Sequence, residues 1–168
     1  INPFNVAIIE TTDRAEATMV IQVAAGTAIG GASDGVLGVE NLGQITLVSG
    51  WNWYAEADGT AIGAGQFDFE TIVMHEMGHA LGLGHSQNAE SVMYGTLATG
   101  EVRRNLTVAD LAIPDIEEGP CGLHAAGFGA STIANDVLAP LGPLNVGQVS
   151  ALSAFASQTR AAFPGYSG

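Results

Sequence analysis

Three histidines and a glutamate crowd the middle of the chain: His75, Glu76, His79 and His85, within the run HEMGHALGLGH. The chain has 4 histidines in all, so three of them share one eleven-residue window. On a helix, residues four apart lie one turn above each other on the same face. His75 and His79 can therefore aim one ring nitrogen each at a single ion, while Glu76 projects beside it without ligating. Gly82 accepts the left-handed backbone that ends a helix sharply, and the turn lets His85 swing back as a third ligand. Three neutral imidazoles suit zinc, with nitrogen–metal distances of about 2.0–2.1 Å and a fourth position left for water. An open position is the mark of a catalytic ion, which acidifies bound water and polarises a carbonyl. Glu76 is then the expected general base toward that water, passing the proton to a leaving amine. The chemistry expected is peptide-bond hydrolysis through a tetrahedral intermediate. A bare H-E-x-x-H arises by chance; the added glycine and third histidine at fixed spacing make the long form specific.

The elements that must position these residues can be read from periodicity. Phe69 to Leu81 has helical period, with Ile72, Val73, Met74, Met77 and Ala80 around one cylinder and Asp68 as its N-cap. Upstream, residues 4–9, 17–24, 36–40 and 44–53 are rich in β-branched and apolar side chains and read as strands. Residues 55–66, dominated by glycine and acids, read as a loop. Downstream, Thr107 to Asp110 looks like a capping box opening a helix that Pro114 should stop early. In the tail, Val146, Val149, Leu152, Phe155 and Phe163 form an apolar stripe between Asn145 and Pro164, an amphipathic helix over about 145–163. Strands come first and helices after, so the fold class expected is α+β, with a twisted mixed sheet, one active-site helix and C-terminal helices.

The run from His75 to His85 resembles the metzincin zinc endopeptidases, and within them the matrixins, the group of matrix metalloproteinases and their bacterial relatives. Ser86 follows the third histidine as matrixins have it, and Ser91-Val92-Met93-Tyr94 looks like the family's Met-turn. Phe69–Met74 leads in as the family's active-site helix does, and 103–113 looks like the start of its last catalytic-domain helix. The resemblance covers roughly residues 4–118, with specificity concentrated in 69–94. It implies a metzincin-like catalytic domain over 1–118 and a C-terminal extension over 119–168. It also implies that Met93 floors the three imidazoles without ligating, and that Tyr94 and Gly95 wall the pocket for the side chain after the cut bond. Residues 35–39 resemble the edge strand beside the cleft, so Val36, Leu37 and Gly38 are expected to hold an extended substrate by strand addition. For the side chains of Val36 and Leu37, sheet core is the favoured account.

The pattern also departs from the family. The upstream histidines that hold a second, structural zinc in vertebrate matrixins are absent, so one zinc is expected, as in a bacterial-type member. Calcium could be held through Asp34, Glu40 or Asp58, which offer hard oxygen ligands. Gly95 stands where a proline is usual after the Met-turn. The family's first strand and first long helix have no counterpart ahead of residue 4, and the 145–163 helix is expected to cover the sheet face they would have covered. Pro120-Cys121-Gly122 resembles, faintly, the propeptide cysteine of latent matrixins, but its Arg and Asp neighbours are missing. An unpaired cysteine is most often a small buried hydrophobe, and His124 is read as an ordinary core or surface histidine.

The 168 residues suit one compact domain with a sizeable core. Apolar residues are 47% and charged residues 12%, which excludes a disordered chain, and no apolar run is long enough to span a membrane. Four arginines against 17 acids give a formal charge of −13, a surface that repels nucleic acid and anionic lipid. The acid excess fits an exported protein, although no signal peptide opens the sequence at Ile1-Asn2-Pro3-Phe4. A single cysteine excludes an internal disulfide framework. The partner expected is a protein or peptide bound in extended form. The competing reading is a non-catalytic, zinc-bearing binding or assembly module of a larger secreted protein, against which the intact Glu76 argues.

Overall fold

A computed structural model describes residues 9–107, 109–116 and 120–127. The strand expected over 4–9, all but its last residue, and the helix expected over 145–163 lie outside the described residues. In chain order the strands are β1 (Val20–Ala24), β2 (Gly26–Thr27), β3 (Gly30–Gly31), β4 (Val36–Asn41), β5 (Gln44–Val48), β6 (Trp53–Tyr54), β7 (Phe67–Asp68), β8 (Thr96–Leu97) and β9 (Cys121–Ala125). Among the described residues there is one α-helix, α1 (Phe69–Ala80), between β7 and β8. The main sheet has the order β1-β5-β4-β9-β8. β1 runs parallel to β5, β4 is antiparallel to both β5 and β9, and β8 runs parallel to β9. The mixed α+β architecture is the one expected from the sequence.

Local chemistry explains the turns. β4 and β5 are joined by Leu42-Gly43, both at positive φ (51° and 82°), the backbone that a two-residue hairpin needs to match strand twist. The strand expected over 44–53 stops at Val48, because Gly50 (φ 98°) turns the chain before β6 begins. The Thr107–Asp110 box does form. The Asp110 carboxylate accepts from the Thr107 N–H and hydroxyl, both at 2.7 Å. It yields only a 3-10 turn over Asp110–Ala112, not the expected helix, with Pro114 close behind.

The core follows from the strand pattern. α1 packs on one sheet face, where Ile72, Val73, Met74 and Met77 are fully buried with Leu37, Ile45, Leu47 and Leu123. Its residues from Phe69 to His79 are all buried, so the helix runs through the interior and has no solvent face over that span. On the opposite face Val36, Val39 and Val48 are buried with Ile29, Ala32 and Trp51 against them. β4 is therefore covered on both faces. It is also paired along both edges: the edge strand expected beside the cleft carries β9 on its outer side. That strand comes from the segment after residue 118, expected from the sequence to be a C-terminal extension.

Candidate metal centre

The start of α1 is fixed by charge. Asp68, fully buried, accepts from the Thr71 N–H at 3.1 Å and the Thr71 hydroxyl at 2.6 Å, as the N-cap expected of it. Arg104 donates to the same carboxylate through Nε at 2.9 Å and lies 3.2 Å from the Glu70 carboxylate. It also donates to the carbonyls of Ala57 and Glu56. This arginine anchors the helix that carries two of the three imidazoles, a role its sequence neighbourhood did not announce.

The helix delivers His75 and His79 to one point. Their Nε2 atoms lie 2.9 Å apart, and the ring centroids of His75, His79 and His85 are 4.6, 5.2 and 4.7 Å from one another. His85 arrives as expected from beyond the helix: Gly82 has φ 82°, and the chain then reverses. Backbone carbonyls set the tautomers. His75 Nδ1 lies 2.8 Å from the Val92 oxygen and His79 Nδ1 lies 2.8 Å from the Leu83 oxygen. A carbonyl only accepts, so both Nδ1 atoms carry the proton and both Nε2 lone pairs face inward. Burial, reinforced by His79 and His85, holds the His75 ring neutral, well below its ordinary pKa.

These residues fit zinc. Two inward lone pairs 2.9 Å apart repel each other unless a cation lies between them. Nitrogens about 2.0–2.1 Å from one tetrahedral ion stand about 3.3 Å apart, close to the spacing seen. One oxygen, one nitrogen or one sulfur from each of His79, Asp115 and Cys121 also lies within 4.8 Å of the others, on the flank of the same cluster. Asp115 Oδ2 is 3.7 Å from His79 Nδ1, held there because Gly84 donates to the Ile113 carbonyl and Asp115 donates to that of Gly82. Sequence reasoning missed Asp115. Nothing in its neighbours marks it, and only the strand-like pairing of Leu83 with Pro114 brings it close.

Met93 is fully buried below the helix, and Gly78 is the reason it fits: a Cβ there would stand 2.4 Å from Met93 Sδ. The turn is pinned at both ends, Ser86 donating to the Met93 carbonyl at 2.8 Å and Met93 donating to Ser91 Oγ at 2.9 Å. Ser91 in turn donates to Asp110, which ties the turn to the 3-10 segment.

Glu76 is fully buried. Its Oε1 accepts from the Leu123 N–H at 3.1 Å, and its Oε2 has no hydrogen-bond partner. Burial pushes its carboxyl well above the ordinary range, with the Leu123 N–H pulling the other way. The backbone of β4 crosses directly beside it: a Cβ on Gly38 would come 2.9 Å from Glu76 Oε1. Val36 and Leu37 have fully buried side chains, as core residues do, and the Val36 carbonyl accepts from Trp51 Nε1 at 2.7 Å. Gly95 lies against the His85 ring, where a Cβ would be 3.4 Å away, and its carbonyl accepts from His124 at 3.2 Å. The Tyr94 ring is stacked by Arg103, with Cζ 5.5 Å from the ring centroid.

Two residues read as ordinary also lie at the site. Cys121 is buried, as expected, but its Sγ sits 3.9 Å from His85 Nδ1. His124 Nδ1 is buried without a partner, and burial followed by the His85 charge lowers its pKa. The acids considered for calcium are occupied locally: Asp34 by the Gly31 N–H, Glu40 by that of Gly43 and Asp58 by that of Thr60. Among the described residues none of the three joins a cluster of three metal-ligating groups.

Comparison with known proteins bears on the same stretch. A family model described as Matrixin matches residues 21–115. Metalloendoproteinase 2-MMP of Arabidopsis thaliana is 37% identical over 86 residues, which is 46% of this chain and 23% of that protein. Metalloendoproteinase 1-MMP of the same plant is 37% identical over 86 residues, 47% of this chain and 23% of its own. Metalloendoproteinase 1 of Glycine max is 37% identical over 60 residues, 35% of this chain and 20% of its own. The chain thus spans less than a quarter of the length of these curated relatives. No solved structure matches.

Proposed function

Since this chain belongs to the matrixin family, we propose that it is a zinc-dependent endopeptidase that hydrolyses peptide bonds of extended protein substrates. His75, His79 and His85 are the residues that would hold the ion. Bound there, zinc supplies Lewis-acid activation of a water and of the substrate carbonyl. The observation that carries the reading is the juxtaposition of three converging imidazoles, two of them fixed by backbone carbonyls, with a buried carboxylate that has one oxygen free. Glu76 Oε2 is that free oxygen. It takes the proton of the attacking water and passes it to the nitrogen of the departing amine. A carboxylate held there by the Leu123 N–H, with its second oxygen free, is placed to accept a proton and return it.

Gly38, beside Glu76 on β4, and Gly95, against His85, flank the metal ligands, so an extended peptide taking the place that β9 holds would run between β4 and the segment of Tyr94 and Gly95. A zinc-bearing module used only for binding would need no carboxylate held at this cost in burial, which favours the enzyme. The acid excess fits an exported protein, because a surface of this charge favours solubility.

The test is cleavage of casein by the zinc-loaded chain, followed by gel and mass spectrometry, against Glu76→Ala carrying the same zinc. Loss of turnover by about 10²–10⁴-fold, the range for a general acid–base residue, supports the proposal. Equal cleavage by both proteins removes Glu76 from the mechanism, and zinc binding with no cleavage by the parent chain returns the reading to a binding module.

A further inference from the structure

Strand β9 lies directly across the site just described. Three contacts place it there. Cys121 Sγ stands 3.9 and 4.0 Å from the two ring nitrogens of His85. The Leu123 N–H donates to Glu76 Oε1. Gly122 is pressed onto β4 so closely that a Cβ would meet the Gly38 carbonyl oxygen at 2.4 Å. The segment is extended and held on both flanks. It pairs antiparallel with β4 from Glu40↔Cys121 to Val36↔His124, and parallel with β8 at Thr96↔His124 and Leu97↔Ala125. It thus fills the groove between β4 and the Tyr94–Leu97 wall, and the Leu123 side chain is fully buried in the core beneath.

An extended peptide entering this groove needs the outer edge of β4 and access to Glu76, and β9 holds both. We propose that Pro120–Ala125 is an internal occupant of the cleft, a strand supplied by the chain itself that closes the site and must leave before another peptide can bind. The proposal rests on the endopeptidase reading only for what the closed groove would otherwise admit; the occlusion itself follows from the contacts. Two features suit a removable strand. It is joined to the domain by backbone pairing, by Leu123 and Ala125 buried in the core and by the Leu123 N–H on Glu76, interactions of the kind an extended peptide offers. The packing of α1 on β4 and β5, through Ile72, Met74 and Met77 with Leu37, Ile45 and Leu47, is built from residues outside β9. A site open in a tenth of the molecules has its apparent affinity reduced about tenfold, and removing the strand restores that factor.

The experiment uses the full chain in two arms. In the first, Glu76→Gln is loaded with zinc, and Cys121 alkylation by iodoacetamide is timed with and without a synthetic peptide of residues 120–125 in which Cys121 is replaced by serine. Displacement of β9 by the peptide predicts alkylation at least about tenfold faster at saturation. Alkylation that is unchanged or slowed while the peptide binds overturns the proposal. This arm needs no turnover, so it judges occlusion even if the casein experiment fails. In the second arm, Leu123→Asp and Gly122→Val, each checked for cooperative unfolding, are compared with the parent for binding of the same peptide by fluorescence anisotropy. Tighter binding by about tenfold in whichever variant folds supports the strand as occupant. Parent affinity equal to that of a folded variant overturns it, as does an intact mass showing that zinc loading cuts the parent chain at Gly122–Leu123, since the strand would then be a substrate.

Discussion

Arg104→Met probes how the metal-bearing helix is held. The guanidinium is nearly buried, and its two carboxylate partners are 0% exposed at Asp68 and 7% at Glu70. Removing it takes away the charge that this guanidinium supplies to two adjacent buried carboxylates, and strips donors from the Ala57 and Glu56 carbonyls. Breaking a buried pair by deleting one partner costs about 3–5 kcal/mol. In a chain of 168 residues, each kcal/mol lowers Tm by about 2–4 °C, so a fall of about 6–20 °C is expected. Glu101→Ala is the matched control. Its partner is Arg103, but the Glu101 side chain is 45% exposed, and a pair of that kind is worth less than about 1 kcal/mol. The assay is thermal unfolding by circular dichroism at fixed zinc and ionic strength. Asp68→Asn in the Arg104→Met background should recover part of the loss, because one buried charge is then gone while the amide oxygen still caps Thr71. If Arg104→Met lowers Tm no further than Glu101→Ala, the argument that buried charge anchors α1 is wrong.

Other consequences can be checked in the same way. Gly78→Ala should destabilise although alanine favours helix by about 1 kcal/mol. The added Cβ meets Met93 Sδ at 2.4 Å, and overpacking costs about 1–3 kcal/mol; Met93→Ala in that background should relieve it. Gly82→Ala, at φ 82° with nothing within 4 Å of its Cβ, should cost about 1–2 kcal/mol from backbone strain alone, read by urea unfolding. Asp115→Asn should weaken zinc binding by about tenfold, measured by competition with a chelator, because it removes a charge behind His79. Burial raises the Glu40 carboxyl above its ordinary 4.5, so its ionisation opposes folding. Its contribution is best below that value and is lost as pH rises through the folded pKa, and Glu40→Gln should gain stability near neutral pH with the gain vanishing in acid.

The legible part of this protein was local. His75 and His79 one turn apart, the Asp68 cap and the Gly82 reversal all act within a dozen residues, and each appears where spacing and side-chain chemistry require. β4 and β5 were legible from their β-branched and apolar runs, although the Leu42-Gly43 turn between them was not singled out. What was not legible depends on partners far away in the chain. Cys121-Gly122-Leu123-His124-Ala125 has no long apolar run and no clear alternation, and it becomes a strand only because β4 and β8 pair with it on either side. Arg104 and Asp115 look like surface residues until the fold sets them behind Asp68 and His79. The helix expected after Thr107 stops at a 3-10 turn although its capping box forms, because Pro114 denies the chain another turn.

The central claim is that His75, His79 and His85 form one metal site, and equilibrium zinc titration with metal analysis of the dialysed protein tests it most directly. The account predicts one tightly held zinc per chain, lost when His79 or His85 is replaced by alanine and kept in Glu76→Ala. Zinc retained undiminished when all three histidines are alanine, or no tight zinc in the parent chain, would contradict it.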